Sequence, residues 1–209
     1  MKTIKFLTFV LLCIGSIACS SDDDTTAQLL PVNSETISNL HAPQNGGQGQ
    51  PVSGTFTKFN LATGQTTTSD SDWDIAFRGT SIIINGGASL GTTDEPARTG
   101  NAAVYIADGT MSSVTEVETE NLVQDSTSSY AIASGSGNGW YTYAGPPTHL
   151  INPTPGKILV IKTHDGKYAK VEILSYYKDA PDAPDAFVNE SRYFTFNYVY
   201  QPNDNVTNF

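Results

Sequence analysis

The chain has 209 residues, 38% of them hydrophobic and only 15% charged, with 18 glycines and 11 prolines. That length fits one domain, two at most, and the turn-rich, charge-poor mix suits short strands and excludes a fold of long helices. The formal net charge of −10 repels phosphate backbones and anionic lipid, which excludes nucleic-acid binding as the main role and a basic membrane-docking patch.

Residues 1–18 read as a leader. Lys2 and Lys5 precede the apolar run Phe6 to Ile14, and the small residues Gly15, Ser16 and Ala18 lead to Cys19. The run is too short to span a bilayer, which takes about 20 residues. The segment resembles a bacterial lipoprotein signal, with Ser16 where such signals usually carry Leu. Cleavage would leave Cys19 as the lipidated N-terminus, and ordinary secretion is the alternative. Ser20-Ser21-Asp22-Asp23-Asp24 resembles the surface-export run of Bacteroidetes lipoproteins; a solvated acidic spacer is the plainer reading. Both cysteines, Cys13 and Cys19, lie in this region. The rest of the chain therefore has no disulfide, Cys-ligated zinc or Cys nucleophile. Residues 19–50 are polar and glycine-rich toward their end, and read as a lipid anchor and flexible tether. The folded domain is expected over 51–209.

Within it, strand signals recur. Thr55–Asn60 alternates. Asp72–Arg78 alternates too, which would place Trp73, Ile75 and Phe77 on one face. Ser81–Asn85 and Ala102–Ala107 are short β-branched runs. Residues 108–139 hold a long, small and polar stretch of the kind that signals function or mobility. Lys157–Thr163 and Tyr168–Tyr177 flank His164-Asp165-Gly166-Lys167. A two-residue turn at Asp165-Gly166 would pair Val160 with Val171 and Ile158 with Ile173 on the core side. The proline-stiffened loop Lys178–Asp185 follows. In Arg192–Tyr200 the residues Phe194, Phe196, Tyr198 and Tyr200 share one face. The fold class expected is all-β, mostly antiparallel, with long loops and few short helices.

The three histidines differ in setting. His41 falls in the tether and reads as solvated. His164 falls at the exposed tip of the hairpin turn. His149 sits among aromatics and prolines in Trp140–Pro155, where it could ligate a metal or haem iron, or pin the loop through a carbonyl. No hydrolytic triad or calcium loop stands out: Ser134-Gly135-Ser136-Gly137 only approximates a nucleophile elbow, and Asp179, Asp182 and Asp185 lack the glycine bend of a calcium loop.

Four blocks together resemble the HmuY family, haem-binding lipoproteins of Bacteroidetes. They are Asp72-Trp-Asp-Ile-Ala-Phe-Arg78 with Ile82-Ile-Ile-Asn-Gly-Gly87; Gly139-Trp-Tyr-Thr-Tyr143; Gly156–Thr163 with Asp165–Ile173 and Ser175-Tyr-Tyr177; and Tyr193–Tyr200. The resemblance implies an all-β surface lipoprotein, lipid-anchored in the outer membrane. Its role would be to capture non-covalent haem for a TonB-dependent outer-membrane receptor, with no catalysis. In the family's founding haem binder two histidines hold the iron, and some relatives use methionine. Here the position of the second ligand carries Gly145, and His149 lies four residues on. Met111, the sole methionine outside the leader, is the other axial candidate; a lone His149, Tyr141 or Tyr143 are further options. Trp140, Tyr141 and Tyr143 would supply one wall of a flat slot, and Lys157, Lys162 or Arg98 would meet the propionates. The competing reading is a family member without haem ligation that binds a siderophore, a glycan or a partner protein.

Overall fold

A computed structural model describes residues 28–209; the leader and Cys19 lie outside the described residues. The expected all-β class holds. Two antiparallel sheets carry the fold, and among the described residues the one helical element is a single 3-10 turn at Thr119–Asn121.

The smaller sheet has β4 (Thr57–Asn60), β5 (Gln65–Thr67), β6 (Ile75–Arg78) and β7 (Ser81–Ile84), in the order β5-β4-β6-β7. The larger has β1 (Asn33–His41), β8 (Ala103–Asp108), β11 (Lys157–Lys162), β12 (Tyr168–Tyr177) and β13 (Ser191–Gln201), in the order β1-β13-β12-β11-β8. Two hairpins complete the set: β2 (Asn45–Gly47) with β3 (Gln50–Ser53), and β9 (Tyr141–Tyr143) with β10 (Ile151–Pro153).

The core lies between the two sheets. Phe59, Ile75, Phe77, Ile82 and Ile84 meet Leu159, Ile161, Val171, Ile173 and the aromatic row of β13. Phe77 stacks on Phe196 at 5.7 Å and tilts against Phe194 at 4.9 Å, while Phe59 meets Phe196 edge-on at 5.5 Å. Offset and edge-on pairs are the geometries that aromatic quadrupoles favour. The outer face of each sheet is covered as well. Val114 and Val117 lie over Ile158 and Val160, with Phe209 from the C-terminus packed on them. Phe56 and Trp73 lie over Ala76 and Ile83.

Three local expectations are corrected. The span 19–50 is not a tether throughout. Asn33–His41 is an edge strand paired with β13 from Asn33↔Tyr200 to His41↔Tyr193, and Leu30 exchanges two hydrogen bonds with the Asn203 side chain. The domain therefore starts by residue 33. The hairpin register is one residue away from the two-residue-turn expectation: Leu159 faces Val171 and Val160 faces Lys170. The Thr163 N–H donates to the Lys167 carbonyl, the Gly166 N–H to the Thr163 carbonyl, and Gly166 has φ +95°. That is a three-residue connection with a left-handed glycine, a common hairpin solution. Trp73 also parts from Ile75 and Phe77. Regular pairing in β6 starts only at Ile75, so Trp73 reaches the outer cluster.

Buried polar side chains tie these layers together. Asp74 (1% exposed) accepts from the Leu61 N–H at 2.7 Å, the His164 N–H at 2.9 Å and His164 Nδ1 at 2.7 Å. It thus joins the small sheet to the hairpin tip of the large one. His164 is consequently not the solvated tip residue expected. The hydrogen bond to Asp74 raises its pKa above the ordinary value, with further help from Asp165 and Asp72 against partial burial. Asn85 donates to the Ser71 and Trp73 carbonyls and accepts from the Thr99 and Gly100 N–H groups. At Gly86 the strand passes so close to Ala102 that a Cβ would fall 1.8 Å from its carbonyl oxygen. His41 is exposed, as expected, but ordered: its ring stacks on Tyr193 at 4.5 Å.

Candidate functional site

Two loops meet at the end of the large sheet where β12 gives way to β13. One connects β9 to β10 and spans residues 144–150; the other connects β12 to β13 and spans 178–190. The first is a tight turn. The His149 N–H donates to the Gly145 carbonyl at 2.7 Å and the Ala144 N–H to the Leu150 carbonyl at 2.9 Å. Closing it puts His149 at φ +53°, a left-handed conformation uncommon outside glycine. The exposed imidazole is fixed by a short Nδ1 contact with the Tyr143 hydroxyl. Phe187 of the second loop meets the His149 ring edge-on at 5.7 Å. Phe187 and Val188 are 74% and 77% exposed.

Hollows flank His149 on both sides. One, of about 320 Å³, is lined by His149, Thr80, Ile151, Tyr176, Arg192 and Gln44 among others, and no carboxylate lines it. The second, also about 320 Å³, is lined by Pro147, Thr148, Leu150, Pro184, Asp185 and Phe187. Each sits at the small end of the range of ligand pockets. Within the first, burial pushes the Tyr176 phenol up to about 12, so it stays a neutral donor at physiological pH. Arg192, itself at φ +69°, donates to the Gln44 carbonyl at 2.5 Å and makes no ion pair among the described residues.

The residues singled out by sequence separate here. His149 and Tyr143 come together. Met111 does not join them: it packs on the outer cluster of Val114, Ile158 and Val160, and its carbonyl accepts from Lys170. Trp140 and Tyr141 are no open wall. They are 2% and 7% exposed within the central core, with Trp140 Nε1 donating to the Thr80 carbonyl at 2.9 Å. Tyr143, 44% exposed, is the one of the three aromatics at the surface. The expected propionate cations are engaged elsewhere or distant. Arg98 is buried between Glu95 (2.7 Å) and Asp125 (2.8 Å), and Lys157 pairs with Asp108 at 2.5 Å. Lys162 lies at the hairpin end of β11, away from the two loops. Arg192, Tyr176 and Phe187 are the site residues that sequence reading missed. Arg192 had a faint signal as a lone cation opening a strongly aromatic strand; Phe187 had one as an apolar residue in a polar loop.

Chemically, the site offers an exposed imidazole with one nitrogen committed to a phenol. A neutral imidazole whose Nδ1–H is so donated presents Nε2 as a lone-pair ligand. The Tyr143 hydroxyl sits at Nδ1, across the ring from Nε2, so it orients the imidazole and is not placed to share a metal bound at Nε2.

A family model described as HmuY protein matches residues 54–198. Among solved structures, the apo HmuY analog of Tannerella forsythia superposes with a TM-score of 0.51 at 17% identity, covering 84% of this chain and 100% of that one. A candidate lipoprotein of Bacteroides fragilis gives 0.48 at 15% identity over 82% and 90% of the two chains. A candidate HmuY-like heme binding protein of Bacteroides vulgatus gives 0.47 at 15% identity over 82% and 93%. Comparison with curated proteins finds no match.

Proposed function

This chain belongs to the HmuY family, and from that premise we propose that it binds haem at the cleft beside His149, anchored to the cell surface through a lipid on Cys19. The haem would pass to a TonB-dependent outer-membrane receptor. The role is that of a carrier and includes no catalytic step. The observation that supports it is the setting of His149. The imidazole is exposed, its Nδ1 is held by Tyr143, and hollows open on both sides of it.

The residues present fit a haem held from one side. Haem supplies an iron centre that takes a neutral imidazole as axial ligand. Tyr143 orients the ring through Nδ1, and the tautomer in which Nδ1–H donates to the phenol oxygen would leave Nε2 free for the iron. Phe187 offers an apolar edge against which a flat macrocycle can pack. A lipid on Cys19 would hold the carrier at the membrane stably, since diacyl and amide-linked chains act together.

Titrating haemin into the protein from residue 20 onward, with absorbance read in both redox states, tests the reading. Saturable binding with a shifted Soret band is expected, lost in His149→Ala and kept in Met111→Leu. An identical spectrum in His149→Ala would overturn the assignment of the ligand. A second reading draws on the lack of a second histidine or methionine in contact with His149 among the described residues. In it the family fold binds a siderophore, a glycan or a partner protein instead. Absence of any saturable haemin binding would favour it. Lipidation is checked separately: a palmitate analogue should label the wild type and not Cys19→Ala.

A further inference from the structure

His149 stands between two hollows of opposite character. The hollow at Pro147, Leu150, Pro184 and Phe187 is mostly apolar, with Asp185 at its margin. The other carries the Arg192 guanidinium and the Tyr176 phenol and has no Asp or Glu in its lining. A carboxylate-free, cation-bearing cleft is unexpected on a chain with 21 acidic and 11 basic residues.

Other cations without an ion pair do not compete for that role. Arg78 and Lys170 are buried away from this cleft: the Arg78 Nη groups donate to Gly54, Thr92 and Thr93 while its Nε is without a partner, and Lys170 donates to the Met111 and Val114 carbonyls. Lys162 belongs to the opposite end of the sheet. Glu190, two residues from Arg192, is taken by Lys178 at 2.7 Å. Arg192 donates to the Gln44 carbonyl and lies beside the Tyr176 hydroxyl, which leaves part of its five-donor planar fork open to a carboxylate.

We infer that Arg192 is the acid-binding residue of this cleft, so that the site selects a planar apolar ligand bearing a carboxylate arm, ring toward Phe187 and acid toward Arg192. The inference rests on the haem reading above and names the contact for a propionate. It replaces Lys157, Lys162 and Arg98 in that role.

Metal-free protoporphyrin IX isolates this contact, because it has the acid arms and no iron for His149. Its dimethyl ester has the same ring and no charge. Quenching of tryptophan fluorescence reports binding, since Trp140 is bonded to Thr80 on the cleft lining. The free acid should bind the wild type about tenfold or more tightly than the ester does, as expected for a charge-assisted contact. Arg192→Gln should remove that preference, and Arg192→Lys should keep part of it through charge without the fork. The comparison of acid with ester on the wild type needs no variant to fold. Equal affinities there, or an undiminished preference in a folded Arg192→Gln protein, would overturn the inference. Haemin coordinated through His149 with no effect of Arg192→Gln would overturn it alone. Arg192-dependent porphyrin binding without iron coordination would overturn the haem-ligand reading alone, and no tetrapyrrole binding at all would overturn both.

Discussion

Replacing Asp74 by Ala removes one small side chain and strands three donors at the junction of the two sheets. The Leu61 N–H, 2.7 Å away, belongs to a residue that is 0% exposed, and water cannot replace its acceptor. The His164 N–H and ring Nδ1 lose partners at 2.9 and 2.7 Å, in a region where the His164 side chain is 20% exposed. A buried donor left without an acceptor costs about 1–3 kcal/mol, and water would partly serve the two His164 donors. The sum is roughly 4 kcal/mol. For a domain of this size each kcal/mol lowers the midpoint by about 2–4 °C, so Asp74→Ala should melt about 8–16 °C below the wild type. Asp74→Asn keeps an acceptor and should lose about half as much. A double-mutant cycle with His164→Ala should return a coupling of about 1–3 kcal/mol, as for residues in direct contact. A melting point for Asp74→Ala within about 3 °C of wild type would refute the view that this carboxylate joins the sheets.

The same pair sets a pH dependence. The folded-state pKa of His164 is raised above 6.5 by the Asp74 hydrogen bond. Its stabilisation is therefore fully present below the unfolded value and is lost as pH rises through the folded one. Urea titrations of wild type and His164→Gln should differ most below pH 6.5 and draw closer as pH rises above it; a gap independent of pH would contradict this. Gly86→Ala should destabilise by about 2 kcal/mol or more through collision with the Ala102 carbonyl, and a melting curve superimposable on wild type would show that the strands can part freely. Val171→Asp, at a fully buried position, should cost about 3 kcal/mol or more from an unpaired interior charge; an unchanged denaturation midpoint would place Val171 outside the core.

Much of the strand pattern was legible because it rests on alternation. The row Phe194, Phe196, Tyr198, Tyr200 turns one face inward, as its period requires. The hairpin failed on register for a related reason. Asp165-Gly166 fits both a two-residue and a three-residue connection, and hydrophobic patterning could not arbitrate. Ile158 and Val160 are as buried on one face as Leu159 and Ile161 are on the other. β1 was illegible because an edge strand needs few apolar residues. Only Leu40 is buried, Ile37 is half-buried, and a bulge between them breaks the period. The histidines show the limit most directly. His164 looked solvated from its neighbours in sequence, yet its partner lies 90 residues away. His149 and Tyr143 were close enough in sequence to be found together. Arg192 and Phe187 could be placed beside them only by the folding of β12 against β13.

The entry point of the chain carries a consequence for orientation. β1 begins at Asn33 opposite Tyr200, at the hairpin-tip end of the large sheet, and ends at His41 opposite Tyr193, near the cleft. Asn33 is fourteen positions after Cys19. In the proposed state with a lipid on Cys19, the nine residues of β1 would separate the cleft from the strand's entry point by roughly 30 Å. The mouth of the site would then point outward from the bilayer like the head of a short mast, free to meet what diffuses past the cell.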